Sequence, residues 1–314
     1  MTVYLDFEKP VAALEARILE LQEAADESEV DVSAEITKLR DKADKQLKDT
    51  YAKLTAWQKT QVARHPERPH FKHFVAAMCD DFIPLAGDRA FADDQAMLGG
   101  LARIGDRKIV LIGHEKGDDT QSRLHHNFGM GKPEGYRKAI RLMDLADRFG
   151  LPVVTLVDTS GAFPGVQAEE RGQAEAIARS TERCLTLGVP MIACIVGEGG
   201  SGGAVALAAA NRVLMFEHAV YSVISPEGCA SILWRTGDKA ADAAQAMKMT
   251  ALDLKSLGVV DRIVPEPMGG AHRDHMLATA TLSQVLNDEL EQLGGLSRAE
   301  LQQQRRAKFL AMGA

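Results

Sequence analysis

The chain has only four cysteines in 314 residues, Cys79, Cys184, Cys194 and Cys229, and none forms a CxxC pair or has a closely spaced histidine beside it. That scarcity excludes a disulfide scaffold and a cysteine-built zinc site, and it fits a reduced, cytoplasmic setting. No basic block is present. Lys plus Arg number 37 against 44 for Asp plus Glu, a net charge of −7, so a nucleic-acid backbone finds no electrostatic footprint. Long hydrophobic runs are missing too: the apolar stretches 151–157 and 191–196 fall far short of the roughly 20 residues of a membrane helix and read as buried strands. The N-terminus, MTVYLDFEKP, has no basic n-region and no apolar h-region, so no secretory signal is expected. What is there, 46% hydrophobic and 26% charged residues, is the composition of a globular chain long enough for about two domains.

Apolar residues recur at spacings of three and four at Val11, Leu14, Ile18 and Leu21, and again from Ile36 to Leu54. This predicts a helical hairpin over 11–63, broken at 26–33 and ended by the prolines of Arg64-His65-Pro66-Glu67-Arg68-Pro69. A short helix follows at 71–81, then a β-hairpin of 101–104 and 108–112. From there strands and helices alternate: helix 133–149 stopped by Gly150, strand 153–157, the loop DTSGAFPG, helix 169–187 stopped by Gly188, strand 191–196, the loop GEGGSGGA, and a small-residue helix 204–210. Such succession predicts an α/β fold with its chemistry at the loops after the strands.

Several motifs fit the segment 197–204. Gly197, Gly199 and Gly202 match a dinucleotide fingerprint, with Glu217 about where a ribose-binding acid is expected. Gly199-Gly200-Ser201-Gly202-Gly203 also matches the G-x-S-x-G nucleophile elbow, with Asp261 and His272 following in the hydrolase order. A P-loop is excluded, because no Gly-Lys-Ser/Thr follows. The bland alternative is close packing of helix on strand, but this much glycine costs backbone entropy. Glycines at a helix N-terminus bring backbone N–H groups close to a developing oxyanion, and an oxyanion hole is the reading that needs no special side chain.

Other features read as structural. Ala246-Met247-Lys248-Met249 repeats the tetrapeptide around biotinyl-lysine, but Lys248 ends an alanine-rich stretch expected to be helical. His125 and His126 are expected on a surface loop, Glu169 and Glu170 at a helix start, and Ser225 as the N-cap of a helix that begins at Pro226 and carries Trp234.

The longer strings carry a family resemblance. GEGGSGGA, AEERGQAEAIAR, YSVISPEGCASILW, PEGYRKA, LAGDRAFADD, ARHPERP and PEPMGGAHR together resemble the α-subunit family of the carboxyltransferase component of bacterial acetyl-CoA carboxylase. The resemblance runs from Leu5 to the C-terminal helices and departs at Ser160 and Phe163, where the family usually has proline and tyrosine. It implies a crotonase-like (ClpP/crotonase) α/β fold of repeated ββα units behind an N-terminal helical hairpin. The corresponding divisions are 1–65, 66–294 and a C-terminal helical tail 295–314.

It also implies a partner β subunit carrying a zinc ribbon, an α2β2 heterotetramer and an active site between the chains. Carboxybiotin delivered by the biotin carboxyl carrier protein would face this chain, the β chain would hold most of acetyl-CoA, and malonyl-CoA, the first committed product of fatty acid synthesis, would result. Carboxybiotin would release CO2, the biotin nitrogen would take the acetyl α-proton, and the carbanion would capture CO2. No metal or covalent cofactor is expected on this chain, and ATP would be used only by the separate biotin carboxylase; no membrane or nucleic-acid partner is indicated. Mapped onto this sequence, Gly202 and Gly203 are the expected N–H donors to the ureido oxyanion, Gly199 and Gly200 shape the loop, and Gly161 and Gly165 line the other wall.

Overall fold

The computed structural model describes residues 3–28 and 31–313. Helices α1 (Lys9–Ser28) and α2 (Ser33–Tyr51) form the expected N-terminal pair. Helix α1 runs beyond residue 26, where a break was expected, and residues 29 and 30 lie outside the described residues. Val11 of α1, Leu47 and Tyr51 of α2, and Val62 bury one shared apolar cluster, the usual way an amphipathic stripe finds its stability. Helix α3 (Ala56–Ala63) is a separate element, capped by Thr55, whose hydroxyl accepts from Gln58 N. It packs on the main body through Ala56 and Ala63 against Val220 and Met249.

Helix α4 (Phe71–Met78) leads to an eight-stranded sheet in the order β1-β2-β3-β4-β5-β6-β8, with β7 added beside β5. The strands are β1 (Asp81–Pro84), β2 (Met97–Ile104), β3 (Arg107–His114), β4 (Val153–Thr159), β5 (Met191–Gly200), β6 (Arg212–Phe216), β7 (Val220–Ser222) and β8 (Arg262–Val264). The hairpin β2–β3 turns through Gly105-Asp106 with Gly105 at φ +56°, a conformation glycine adopts without a Cβ clash. From β3 onward the pairing is parallel. Parallel strands need helical crossovers, so β4 and β5 are apolar and buried on both faces.

Helices α5 (Thr120–His125) and α6 (Pro133–Phe149) join β3 to β4. Helix α6 has the expected bounds, with Pro133 in its first turn and Gly150 left-handed at its C-cap. The expected single helix 169–187 is two, α7 (Val166–Glu170) and α8 (Gln173–Thr186), divided where Gly172 adopts φ +78°. Helix α9 (Ser201–Ala208) follows β5 directly. After β7 come α10 (Pro226–Trp234), α11 (Ala240–Ala246) and α12 (Ala251–Ser256), and after β8 come α13 (His275–Gly294) and α14 (Arg298–Leu310). Helix α14 docks back on α8: Arg305, fully buried, donates to Cys184 O and Leu187 O.

Candidate active site

The glycine segment is not a loop. Gly197–Gly200 are the last four residues of β5, Ser201 turns the chain with φ +52°, and α9 starts at once, ahead of the expected 204–210. Glycine is required because two backbones meet here. A Cβ on Gly200 would collide with the carbonyl of Ser160, and one on Gly203 would lie 2.8 Å from Ala162 N and Gly161 C. The loop after β4 is thus pressed against the first turn of α9, bringing Gly161, Gly200, Gly202 and Gly203 together. Gly161 itself sits at φ +151° with open space around its Cβ position, a conformation L side chains rarely adopt. Gly199 leaves room for the Tyr221 ring. Gly165 stands a little apart as the residue before α7, against the Phe163 ring. Gln173 Nε2 holds this wall by donating to Gly131 O and Phe163 O, both at 2.9 Å.

Helix α9 has Gly200 at its N-cap, and no side chain caps it. The first N–H groups of a helix have no intrahelical acceptor, and their dipoles add to a partial positive charge. Here they emerge between two glycine-lined strand ends with Ser160 and Ser201 exposed and Gly202 half-buried. The arrangement is an anion cradle made of backbone.

The segment is bent before it reaches α9. Between Val157↔Ile195 and Thr159↔Gly199 the β4–β5 register slips, β4 advancing two residues while β5 advances four. Two side chains take up the backbone groups freed there. Asp158 Oδ1 accepts from Glu198 N at 2.9 Å, and Arg68 Nε donates to Val196 O at 2.7 Å. Arg68 is in turn forked onto the buried Glu266 at 2.9 and 2.7 Å. Arg64 grips the Glu198 carboxylate with two bonds, 3.0 and 2.6 Å, and reaches Glu227 of α10 at 2.6 Å. Beside them opens a cavity of about 270 Å³ lined by Arg64, His70, Lys116, Asp158, Ser160 and Glu198 among others. In the sequence, ARHPERP shows only a helix stop and a family string. Arg64, Arg68, Lys116 and Asp158 were not picked out as part of the site.

Other expectations change. Asp261 accepts from Val213 N and Lys308, and His272 stacks on His65 with ring centroids 3.8 Å apart. Among the described residues neither bonds Ser201 or the other, so the hydrolase triad is not assembled. His126 is buried at 3% exposure rather than on a surface loop; its ring nitrogens meet Gln95 O at 2.5 Å and Lys72 Nζ at 2.8 Å. Lys248 ends the alanine-rich helix as expected, exposed at φ +54° one residue past the C-cap of α11. Ser225 caps α10 as expected, accepting from Gly228 N at 3.1 Å. Glu8, His65 and His272 hold donor atoms close together, yet both His65 nitrogens are engaged, by Val3 O at 3.0 Å and Glu67 N at 3.2 Å. That leaves no free lone pair for a cation. No helix among the described residues is long and apolar enough to cross a membrane.

Comparison with known proteins gives a consistent picture. Residues 4–313 match the family described as acetyl co-enzyme A carboxylase carboxyltransferase-like. The chain is 72% identical over its whole length, and the whole length of the relative, to the acetyl-coenzyme A carboxylase carboxyl transferase subunit alpha of Rhizorhabdus wittichii. It is 71% identical to that of Sphingopyxis alaskensis over 100% of this chain and 99% of the relative. Among solved structures, transcarboxylase 12S superposes with a TM-score of 0.59 at 20% identity, covering 72% of this chain and 42% of that one. A Pseudomonas malonate decarboxylase hetero-tetramer in complex with coenzyme A gives 0.61 at 17% identity, covering 74% and 90%. The fold is crotonase-like, as the structural neighbours share it.

Proposed function

The chain belongs to the acetyl-CoA carboxylase carboxyltransferase family as an α subunit, and from that premise we propose that the backbone N–H groups of Gly202 and Gly203 are its chemical contribution to carboxyl transfer. The family is biotin-dependent, and an α subunit implies a β-subunit partner. In the proposed reading the substrates are carboxybiotin, presented by the biotin carboxyl carrier protein, and acetyl-CoA, held mostly by the β chain of a cytoplasmic α2β2 assembly. The biotin carboxylase that loads the carrier works in the larger complex. Malonyl-CoA is the product.

One observation carries the reading: the N-terminus of α9 lacks a side-chain cap and is entered from a strand of glycines. When a carboxyl group leaves the ureido nitrogen, negative charge gathers on the ureido oxygen, and preorganised N–H donors stabilise that charge best in a site that excludes water. Gly199 and Gly200 bring the β5 backbone to this point without side chains in the way. Gly161 and Gly165 belong to the facing wall. No side-chain nucleophile is invoked, and Ser201 serves as the hinge between strand and helix.

The test is reconstitution. Mixed with a β chain and a carboxybiotin donor, the chain is expected to form malonyl-CoA, and alone it is expected to form none. Ser201→Ala in the complex should keep kcat within about threefold, since no donor is removed, and Ser201 should not react with a fluorophosphonate. Loss of transfer on Ser201→Ala with assembly intact, or labelling of Ser201, would return the chemistry to its hydroxyl.

A further inference from the structure

Of the two side chains that meet the backbone groups freed by the slip between β4 and β5, Asp158, which is 2% exposed, is the one that takes the Glu198 N–H. Its Oδ1 replaces the missing ladder acceptor for Glu198 N at 2.9 Å and also receives Lys116 Nζ at 2.6 Å. Any Cβ on Gly197 would strike the same carboxylate. Beyond Asp158 the ladder resumes at Thr159↔Gly199, one residue before Gly200 seats on Ser160 and two before the chain turns into α9. This carboxylate thus holds β5 at Glu198, three residues before α9 begins. The geometry points to Asp158, paired with Lys116, as a positioning residue for carboxyl transfer: its carboxylate holds the bend in β5 and thereby aims the Gly202 and Gly203 N–H groups. This inference rests on the reading of those two glycines as oxyanion donors.

The charge matters as well as the shape. Burial alone drives a carboxyl group towards its neutral form, and for Asp158 the Lys116 ammonium, with His70 behind it, overrides burial and holds the group well below the ordinary carboxylate range. A comparison within the same chain shows what happens without a cation at contact distance. Asp94 is 3% exposed and is held by two backbone N–H groups, Ala96 N and Lys132 N, with no ion pair among the described residues. Burial pushes it up to about 6.

The groups facing Asp158 are Lys116, following β3; His114, in β3, whose Nδ1 accepts from Asp158 N at 3.4 Å; His70, ahead of α4, with Nδ1 3.6 Å from Oδ2; and Glu198 in β5, itself gripped by Arg64. Among the described residues neither ring nitrogen of His70 has a hydrogen-bond partner, the Asp118 and Asp158 carboxylates lying 3.7 and 3.6 Å away. His70 is, besides Lys116, the basic side chain nearest the Asp158 carboxylate, so the variants below include it.

The experiment uses the complex reconstituted with the β chain and measures malonyl-CoA formation from pH 5.5 to 8.5, with assembly followed by size-exclusion chromatography. Lys116→Met removes the cation, so Asp158 takes up a proton in the assay range. The expected result is an acid limb in kcat, absent from the wild type, that falls by up to about tenfold per pH unit and levels off near the rate of the neutral double variant below, with KM for acetyl-CoA unchanged. Asp158→Asn should lower kcat about tenfold or more at every pH. Asp158→Asn combined with Lys116→Met, which removes both charges and keeps an amide oxygen for Glu198 N, should assemble, recover part of kcat and show no limb. His70→Gln in the Lys116→Met background should leave the limb in place.

No acid limb in Lys116→Met, a limb that survives in the double variant or vanishes with His70→Gln, or failure of the double variant to assemble would each overturn the inference. These failures are distinct from failure of the oxyanion reading. If Gly202 variants lose kcat while Lys116→Met shows no limb, only the role of Asp158 falls; if Gly202 variants transfer normally, the donor assignment falls first.

Discussion

Substituting Gly202 by valine tests the donor assignment, and the structure determines how the substitution acts. The Cβ position of Gly202 does not face the open side of the cradle. It points at α8, 3.3 Å from Cγ2 and 3.9 Å from Cδ1 of Ile177. A single methyl is met by the end of a half-buried side chain that yields by a few tenths of an ångström, so Gly202→Ala should be close to neutral in stability. Valine adds two more carbons against Ile177, an overpacking that typically costs about 1–3 kcal/mol and pushes the first turn of α9 away from α8. The N–H group moves with it. Loss of one oxyanion donor costs about 10²–10³ in kcat, roughly 2.7–4 kcal/mol, so Gly202→Val should lose that much transfer while remaining assembled. Ile177→Ala alone should leave kcat near normal, and adding it to Gly202→Val should restore most of the lost rate because the wall has been removed. The assay is malonyl-CoA formation by the complex with the β chain, alongside thermal melts of each variant. Near-normal transfer by an assembled Gly202→Val complex would refute the donor role, and a loss that Ile177→Ala leaves untouched would refute the packing route.

Three further outcomes are expected. Arg68→Met leaves the buried Glu266 carboxylate without its fork and Val196 O without its donor, so denaturant unfolding should show a loss of about 3–5 kcal/mol; a loss under about 1 kcal/mol would mean the pair is not holding the bend. His114 is pushed by burial down to about 4. Its neutral form therefore stabilises the fold fully above the ordinary histidine value near 6.5, and about 3 kcal/mol should drain away as pH falls from there to about 4. His114→Asn should flatten that part of the Tm-against-pH curve, leaving the share of His272, which burial takes to about 3. Lys248, in the turn that ends α11 and leads to α12 rather than in a hairpin between two strands, should stay unmodified on expression with an active biotin ligase, and an intact mass carrying a biotin increment would contradict that.

The sequence was most legible where a structural event depends on residues near it in the chain. Pro133 and Gly150 bound α6 because a proline tolerates a helix start and a glycine tolerates the left-handed stop. The β2–β3 hairpin was visible in its turn, but its strands are longer than the expected 101–104 and 108–112, because Met97 and His114, which pair at their far ends, owe their strand conformation to burial in the fold. The split between α7 and α8 was missed because Gly172 lies inside an otherwise helical run, where one glycine is tolerated. His126 was misplaced for the same kind of reason. The acceptor that draws its ring inside is Gln95 O, 31 residues earlier.

The candidate site divides along the same line. The glycines were visible as a motif, yet they were read as a loop because glycine is a poor strand former when judged alone. Gly197–Gly200 can be strand only because Asp158 and Arg68 meet the backbone groups that the slipped register frees, and because the Ser160 carbonyl comes so close that a side chain could not fit. Those partners lie 40 and 128 residues away in the chain. A lone aspartate in an apolar strand and two arginines around a proline carry no local sign of such a role. The motif thus located the chemistry, whereas the charges that hold it in place became visible only when the fold brought them to the bend in β5.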